Sequence, residues 1–217
     1  MDHSIARKTM VDAQIRPNQV DDEVALHAIR ATPREAFIPR ALHGVAYSDG
    51  DLPLGGGRFV MEPLVLARLL QAAAIQADDV ALAVGCATGY SAAVLSHMAG
   101  AVVAVESESE LIDKATENLS DLGIDTVAVM QADLKAGYPK QAPFDLIFFD
   151  GAIDDIPAEI ADQLAENGRL VAIVKAAGDV GRGVLMTRRN GVLNRRDVFN
   201  ADIPYLPGFE PAALFKF

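Results

Sequence analysis

The eleven residues Val80-Ala81-Leu82-Ala83-Val84-Gly85-Cys86-Ala87-Thr88-Gly89-Tyr90 restrict this chain more than any other stretch. Val80 to Val84, small or branched and apolar, suit a strand buried on both faces, and Gly85 breaks it. From Tyr90 to Ala99 the chain has helical length and composition. Strand, glycine loop and helix open a nucleotide-binding βαβ unit, which brings bare backbone N–H groups and a helix N-terminus close to a ligand.

A second strand, Ala101 to Val105, ends in Glu106, 21 residues past Gly85, where a carboxylate can take both hydroxyls of a ribose. The glycine spacing separates two cofactor classes. Dinucleotide sites want G-x-G-x-x-G, whereas this loop is G-x-x-x-G, with Ala87 in its middle. A third strand, Val127 to Met130, leads into Asp133, an acid suited to an adenine amino group. Two strand-end acids without a phosphate loop suit S-adenosylmethionine better than NAD. The expected cofactor set is therefore Gly85, Cys86, Ala87, Gly89, Tyr90, Glu106, Ser107, Asp133, Leu134 and Asp150. The plain alternative is a small-residue turn that only packs helix on strand.

The net charge of −11 disfavours a phosphate backbone as ligand. The basic pairs Arg188-Arg189 and Arg195-Arg196 flank a turn and read as the solvated face of a hairpin, so no nucleic-acid partner is expected. The single cysteine, Cys86, forms no internal disulfide; it is either a loop filler or a thiol acidified by the helix N-terminus. His3, His27, His43 and His97 lack paired metal-ligand spacing, so no metal is expected. The first residues have no signal-peptide core and no apolar run has membrane length, which points to the cytoplasm. Oligomeric state is not legible.

The spacing predicts helices over 4–16, after Asp21 or Asp22, and briefly from Pro33 to Phe37. Residues 43–62 read as loop, with Gly55-Gly56-Gly57 either a flap or a turn. Pro63 opens a helix from Leu64 to Ala74. Strand–helix alternation then starts at Val80, with a helix from Glu110 to Leu122 carrying Leu111, Ile112, Ala115, Leu119 and Leu122 inward. A fourth strand covers Asp145–Asp150, a helix from Pro157 runs through Leu164, and a fifth strand covers Arg169–Val174. Asn190-Gly191 marks a hairpin, and Ala212 to Phe217 a last strand. The result is one α/β domain over 1–217: a helical and loop region (1–75), then a Rossmann-like, seven-stranded core (76–217) ending in an antiparallel hairpin.

The chain resembles the protein-L-isoaspartate O-methyltransferase family, class I S-adenosylmethionine-dependent enzymes, from about Met10 to Pro207. The resemblance rests on Met10 to Arg16, Pro33-Arg34-Glu35-Ala36-Phe37-Ile38-Pro39, Ala46-Tyr47-Ser48-Asp49 with Leu52-Pro53-Leu54-Gly55, Gly85 to Tyr90, Pro143-Phe144-Asp145, Ile156-Pro157 and Gln163-Leu164. It implies a cytosolic repair enzyme that methylates the free α-carboxylate of isoaspartyl residues in proteins and peptides, the ester then collapsing to a succinimide. Three departures stand out. Ala83 replaces the acid that normally braces the glycine loop, and Ala87 the usual middle glycine. The substrate loop Gly-x-Thr-Ile-Ser-x-Pro reads Gly57-Arg58-Phe59-Val60-Met61-Glu62-Pro63. Met61 thus stands at the position of the substrate-facing serine, the candidate catalytic position, between the candidate substrate contacts Phe59, Val60 and Glu62. Met61 either meets substrate or packs under the loop; Asp150 either meets an acceptor or caps its neighbours. An isoaspartyl methyltransferase, a methyltransferase for a less anionic acceptor and a non-catalytic binding relative all remain compatible with these residues.

Overall fold

The structure, a computed structural model, describes residues 2–211. Asp2 caps α1 (His3–Met10) by accepting from the N–H groups of Ser4 and Ile5. The helical path continues as a π turn over Val11–Ile15 and a 3-10 turn over Arg16–Asn18. Asp22 caps α2 (Glu23–Ala31) in the same manner. A 3-10 turn over Arg34–Phe37 matches the short turn expected after Pro33, and another covers Arg40–Val45.

Residues 43–62 depart from the loop expected. Leu52–Gly55 (β1) and Arg58–Val60 (β2) form an antiparallel hairpin with Leu52 opposite Val60. Gly55, Gly56 and Gly57 have φ of 92°, 57° and 76°, the left-handed region that only glycine enters cheaply, so the triple glycine is the hairpin's turn. Pro63 then opens α3 (Pro63–Ala73).

The core follows as β3 (Val80–Val84), α4 (Tyr90–Ser96), β4 (Ala101–Glu106), α5 (Ser109–Asp121), β5 (Val127–Gln131), β6 (Phe144–Ile153), α6 (Ala158–Ala161), β7 (Leu164–Val174), β8 (Arg182–Arg189) and β9 (Val192–Asn200). The seven-stranded sheet has the order β5-β4-β3-β6-β7-β8-β9, parallel through β7 and antiparallel beyond. Chain order reverses at β3, whose neighbours are β4 and β6. Ligands of open α/β sheets bind in the crevice at such a switch point, beyond the carboxyl ends of the strands.

Alternate residues of the strands serve two separate cores. Ala81, Ala83, Ala104 and Phe148 pack with α2, α3, α4 and the N-terminal turns. Leu82, Val84, Val105 and Phe149 pack on the other face with Ile160, Leu134, Leu206 and Phe209. Two further expectations fail for identifiable reasons. The helix after Pro157 stops at Ala161, because Leu164 pairs with Phe144 as the first residue of β7 and is buried there. Leu122, expected inward, lies at the fraying end of α5 and is exposed. The strand expected over Ala212–Phe217 falls outside the described residues.

Asn190 and Gly191 turn the β8–β9 hairpin with φ of 52° and 75°, the conformation a two-residue turn of right-handed twist requires. Gly191→Ala adds no clash but forces alanine into this region, and should lower the urea-unfolding free energy by about 1 kcal/mol. Gly50→Ala, equally open and without positive φ, should leave it unchanged. Equal midpoints for the two variants would contradict this.

Candidate functional site

The glycine loop leaves β3 at its carboxyl end, where Gly85 (φ 80°) and Cys86 both donate to Val105 O of the neighbouring strand, at 2.9 and 3.2 Å. Ala87 adopts φ 48° despite its methyl group. Its N–H donates to Glu106 Oε2 at 2.9 Å. Thr88 Oγ1 donates to Phe37 O at 2.6 Å, and Asn118 Nδ2 of α5 donates to Thr88 O at 3.0 Å. The loop that lacks an acid at Ala83 is thus braced by β4, by α5 and by the N-terminal turns. Gly89 (φ 97°) then admits the chain to α4 against Ala115, whose Cβ would lie 3.3 Å from an added methyl.

Glu106 stands where the βαβ geometry predicts it, at the end of β4, and is fully buried. Its carboxylate is saturated. Oε2 accepts from the Arg58 guanidinium as well as from Ala87, and Oε1 accepts from the N–H groups of Ser107 at 2.8 Å and Glu108 at 3.4 Å. Arg58 is buried too, and its Nε and Nη1 have no partner among the described residues. Asp133 is exposed and caps the turn Leu134–Ala136 through the Lys135 N–H at 2.9 Å, while Leu134 is buried beneath. Ser107 is exposed.

Asp150, in β6, is buried; Ser91 Oγ donates to its Oδ2, and Oδ1 has no partner among the described residues. Burial pushes its carboxyl up to about 6, against the opposing pull of the Ser91 hydrogen bond, Arg58 and Arg34. Burial likewise raises the Cys86 thiol, with Glu106 and Asp150 adding to the effect, so the filler reading of Cys86 fits and acidification does not.

The N-terminal layer reaches this crevice through Arg34. Its Nε donates to Ala46 O at 2.9 Å, its Nη2 to Val60 O at 3.3 Å, and its guanidinium lies 5.0 Å over the Tyr90 ring. Helical layer, hairpin and α4 are joined in one side chain. In β2 and just after it, Phe59, Val60 and Met61 are buried in the same core, Met61 at 1% exposure. Glu62 is half-buried; desolvation first, then Asp49 and Asp51, hold its carboxyl above the usual range. A groove of about 490 Å³ runs between the hairpin turn and the start of α5, lined by Leu54, Gly55, Arg58, Ser109 and Glu110 among others. The similarly sized hollow between α5 and β5, about 510 Å³, lies away from the loop and β6.

A strand-end carboxylate, bare glycines and an acid beyond β5 thus line up along the carboxyl ends of β3, β4 and β5. The space above them is filled from within the chain. A Cβ built on Gly85 would meet Leu206 Cδ2 at 2.7 Å and Arg58 Nη2 at 3.3 Å, and one on Gly151 would meet Leu206 Cγ at 2.6 Å. Leu206 and Arg58 are thus the groups that lie against the glycine loop in this structure. Sequence reasoning passes over Arg58 and Leu206. A lone cation before Phe59-Val60-Met61 is the available signal for the first, since a charge in an apolar run needs a buried counter-charge. No local signal marks the second.

A family model described as protein-L-isoaspartate(D-aspartate) O-methyltransferase matches residues 5–202. The chain is 40% identical over 190 residues to the protein-L-isoaspartate O-methyltransferase of Methylorubrum extorquens (strain PA1), covering 88% of this chain and 82% of that one. To that of Methanoculleus marisnigri it is 40% identical over 168 residues, covering 77% and 76%. A solved protein-L-isoaspartate O-methyltransferase superposes with a TM-score of 0.83 at 23% identity over 94% of this chain and 67% of that one. A Plasmodium falciparum protein of similar description, solved with S-adenosyl-L-homocysteine, gives 0.78 at 19% identity over 92% and 97%. The two structures establish a shared fold, the class I methyltransferase fold expected from the strand pattern.

Asp150 makes the fold pH-sensitive with a definite sign. Its folded carboxyl keeps the proton up to about 6, whereas an unfolded aspartate releases it near pH ~4. Its stabilising contribution is complete below about 4 and is lost as pH rises through about 6, a loss of roughly 3 kcal/mol. Asp150→Asn keeps an acceptor for Ser91 and has no proton to lose. Urea unfolding from pH 4 to 8 should show the variant gaining on wild type across that window. A pH-independent difference would contradict the assignment.

Proposed function

Because the chain belongs to the protein-L-isoaspartate(D-aspartate) O-methyltransferase family, we propose that it transfers a methyl group from S-adenosylmethionine to the free carboxylate of isoaspartyl residues in damaged proteins and peptides. The observation that carries this reading is the extent of the match: residues 5–202 take in the N-terminal turns, the β1–β2 hairpin and the whole sheet. The N-terminal pieces matter most, because strand–loop–helix alone is common to many functions.

The cofactor, when bound, supplies an electrophilic methyl group. An acceptor carboxylate is already ionised at neutral pH, so the protein contributes alignment and a dry site rather than a strong base. Thr88 bound to Phe37, and Arg34 bound to the hairpin, hold the N-terminal layer over the strand ends where water is to be excluded. Glu106 and the glycine loop are the groups assigned to the nucleoside, Asp133 and Leu134 its base, and Asp150 the reacting end. Phe59, Val60 and Met61, at the positions of the family's substrate loop, are buried in the core, and Glu62 sits in an acidic patch with Asp49 and Asp51. The apolar character of that loop favours a second reading, a less anionic acceptor. Radiolabelled methyl transfer to an isoaspartyl peptide beside its aspartyl twin separates the two: methylation of the isoaspartyl peptide alone is expected, and methylation of neither would overturn the assignment.

The reading places the enzyme in the cytoplasm; among the described residues no helix is long and apolar enough to cross a membrane. Nucleic acid is not among its proposed partners. Arg188 lies 3.7 Å from Asp162, and Arg195 lies 3.6 Å from Asp155 and 3.7 Å from Asp197, so acids already face the hairpin's arginines. Salt-sensitive retention of RNA at physiological ionic strength is not expected, and its observation would reverse that statement.

Glu62 gives the acceptor side a testable charge. A carboxylate brought near it should be repelled by about 1 kcal/mol across a partly wet gap, so Glu62→Gln should raise kcat/KM for an isoaspartyl peptide roughly fivefold at neutral pH. The gain should shrink as pH falls, because Glu62 itself takes up a proton there above the usual carboxylate range. Unchanged kcat/KM would mean that Glu62 faces away from the acceptor.

A further inference from the structure

We propose that residues 204–209 are a tethered plug of the cofactor cleft, and that S-adenosylmethionine enters by displacing them and by taking Glu106 from Arg58. The proposal rests on the cofactor assignment of the preceding reading and adds to it a closed state built into the chain.

The plug is located by what it covers. Leu206 lies over the bare Cα atoms of Gly85 and Gly151, at the adjacent ends of β3 and β6. Pro207 Cγ comes within 3.5 Å of a Cβ built on Gly57, in the hairpin turn. The Phe209 ring stands edge-on to Phe149 with centroids 5.9 Å apart, and Lys135 Nζ lies 5.6 Å from its centroid, just past Asp133. The segment thus runs across the crevice at the sheet's switch point, the place where this architecture holds ligands. Leu206 is buried among the apolar residues that floor it, Val84, Val105, Leu134 and Phe149.

The segment is held by main-chain hydrogen bonds, by the Tyr205 hydroxyl, which donates to Lys175 O at 2.7 Å, and by the burial of Leu206 and Phe209, each at 1% exposure. Ala152 N–H donates to Pro204 O at 2.9 Å, Leu206 N–H to Ala152 O at 2.8 Å, and Asp154 N–H to Phe209 O at 3.0 Å. Each such bond contributes little net free energy, because water replaces it on opening. Arg58 adds the second half of the closure. It holds Glu106, the carboxylate assigned to the ribose, while its own Nε and Nη1 stay buried without partners among the described residues. A buried guanidinium satisfied on one side only is under-compensated for lost hydration, which keeps the closed state within reach of the open one. Closure lowers the apparent affinity by the fraction of chains that are open.

The test is calorimetry of the full chain with S-adenosylhomocysteine, alongside amide hydrogen exchange. Leu206→Ala, which removes the side chain over both glycines, and Arg58→Gln, which frees Glu106, should each tighten binding about tenfold or more relative to wild type. In the wild type, which needs no substitution, saturating ligand should lower the protection of the Leu206 and Asp154 amides. Equal affinities in all three proteins, or gained protection at those amides, would overturn the plug. So would absence of binding by all three. Methyl transfer to an isoaspartyl peptide separates this inference from the functional reading. A brisk wild type with an unimproved Leu206→Ala variant would remove the plug alone, whereas tighter binding without any methyl transfer would support the plug and remove the substrate assignment.

Discussion

A carboxylate with no exposure to water has to be repaid in hydrogen bonds, and at Glu106 the whole crevice is arranged to do so. Its donors are the Arg58 guanidinium from the hairpin, the Ala87 N–H from the glycine loop, and Ser107 and Glu108 from the passage into α5. Four parts of the fold are thereby held to one point. Removing a partner from a buried pair typically costs about 3–5 kcal/mol, since it leaves a charge in an apolar surround. As long as Arg58 holds Glu106, the hairpin and the glycine loop are tied to one another. Any ligand that uses Glu106 has to provide equivalent donors.

The same economy of contacts governs the acceptor side. Arg34 is fully buried and donates from Nε and Nη2 to main-chain carbonyls of Ala46, Gly50 and Val60, so the hairpin is seated by a side chain from the N-terminal layer. Above it, Phe59 and Met61 enlarge the core where the family resemblance expects hydroxyls, with Val60 between them. Apolar area removed from water stabilises the layer in proportion to its extent. The cost is chemical, because these side chains offer no donor to a carboxylate. Stability of the layer and recognition of an anion thus compete for the same positions.

The short-range pattern of the chain was sufficient for the sheet. Val80–Val84, Ala101–Glu106 and Val127–Gln131 are continuous apolar strands, and Asn190-Gly191 is a turn whose φ signs follow from residue type. Glu106 could be placed in advance because its distance from Gly85 reflects the length of a loop, a helix and a strand. Where local preference met a competing pairing, the sequence misled. Residues after Ala161 have helical composition, yet Leu164 gains more by pairing with buried Phe144 than by extending α6.

The sequence by itself determined the parallel sheet, the glycine loop, the strand-end acid and the family, because each depends on side-chain periodicity or on spacing along one βαβ unit. Only the tertiary structure decided what occupies the crevice those features make. Arg58 reaches Glu106 across 48 residues of chain, and Leu206 arrives over Gly85 and Gly151 from beyond the last strand. The first leaves only a lone cation beside an apolar run, and the second leaves no trace in the residues on either side of it. A glycine records only that something lies close, and a buried charge only that a counter-charge exists. Which atom fills the place is settled when the separate elements pack, by shape and by desolvation acting between positions the sequence keeps far apart.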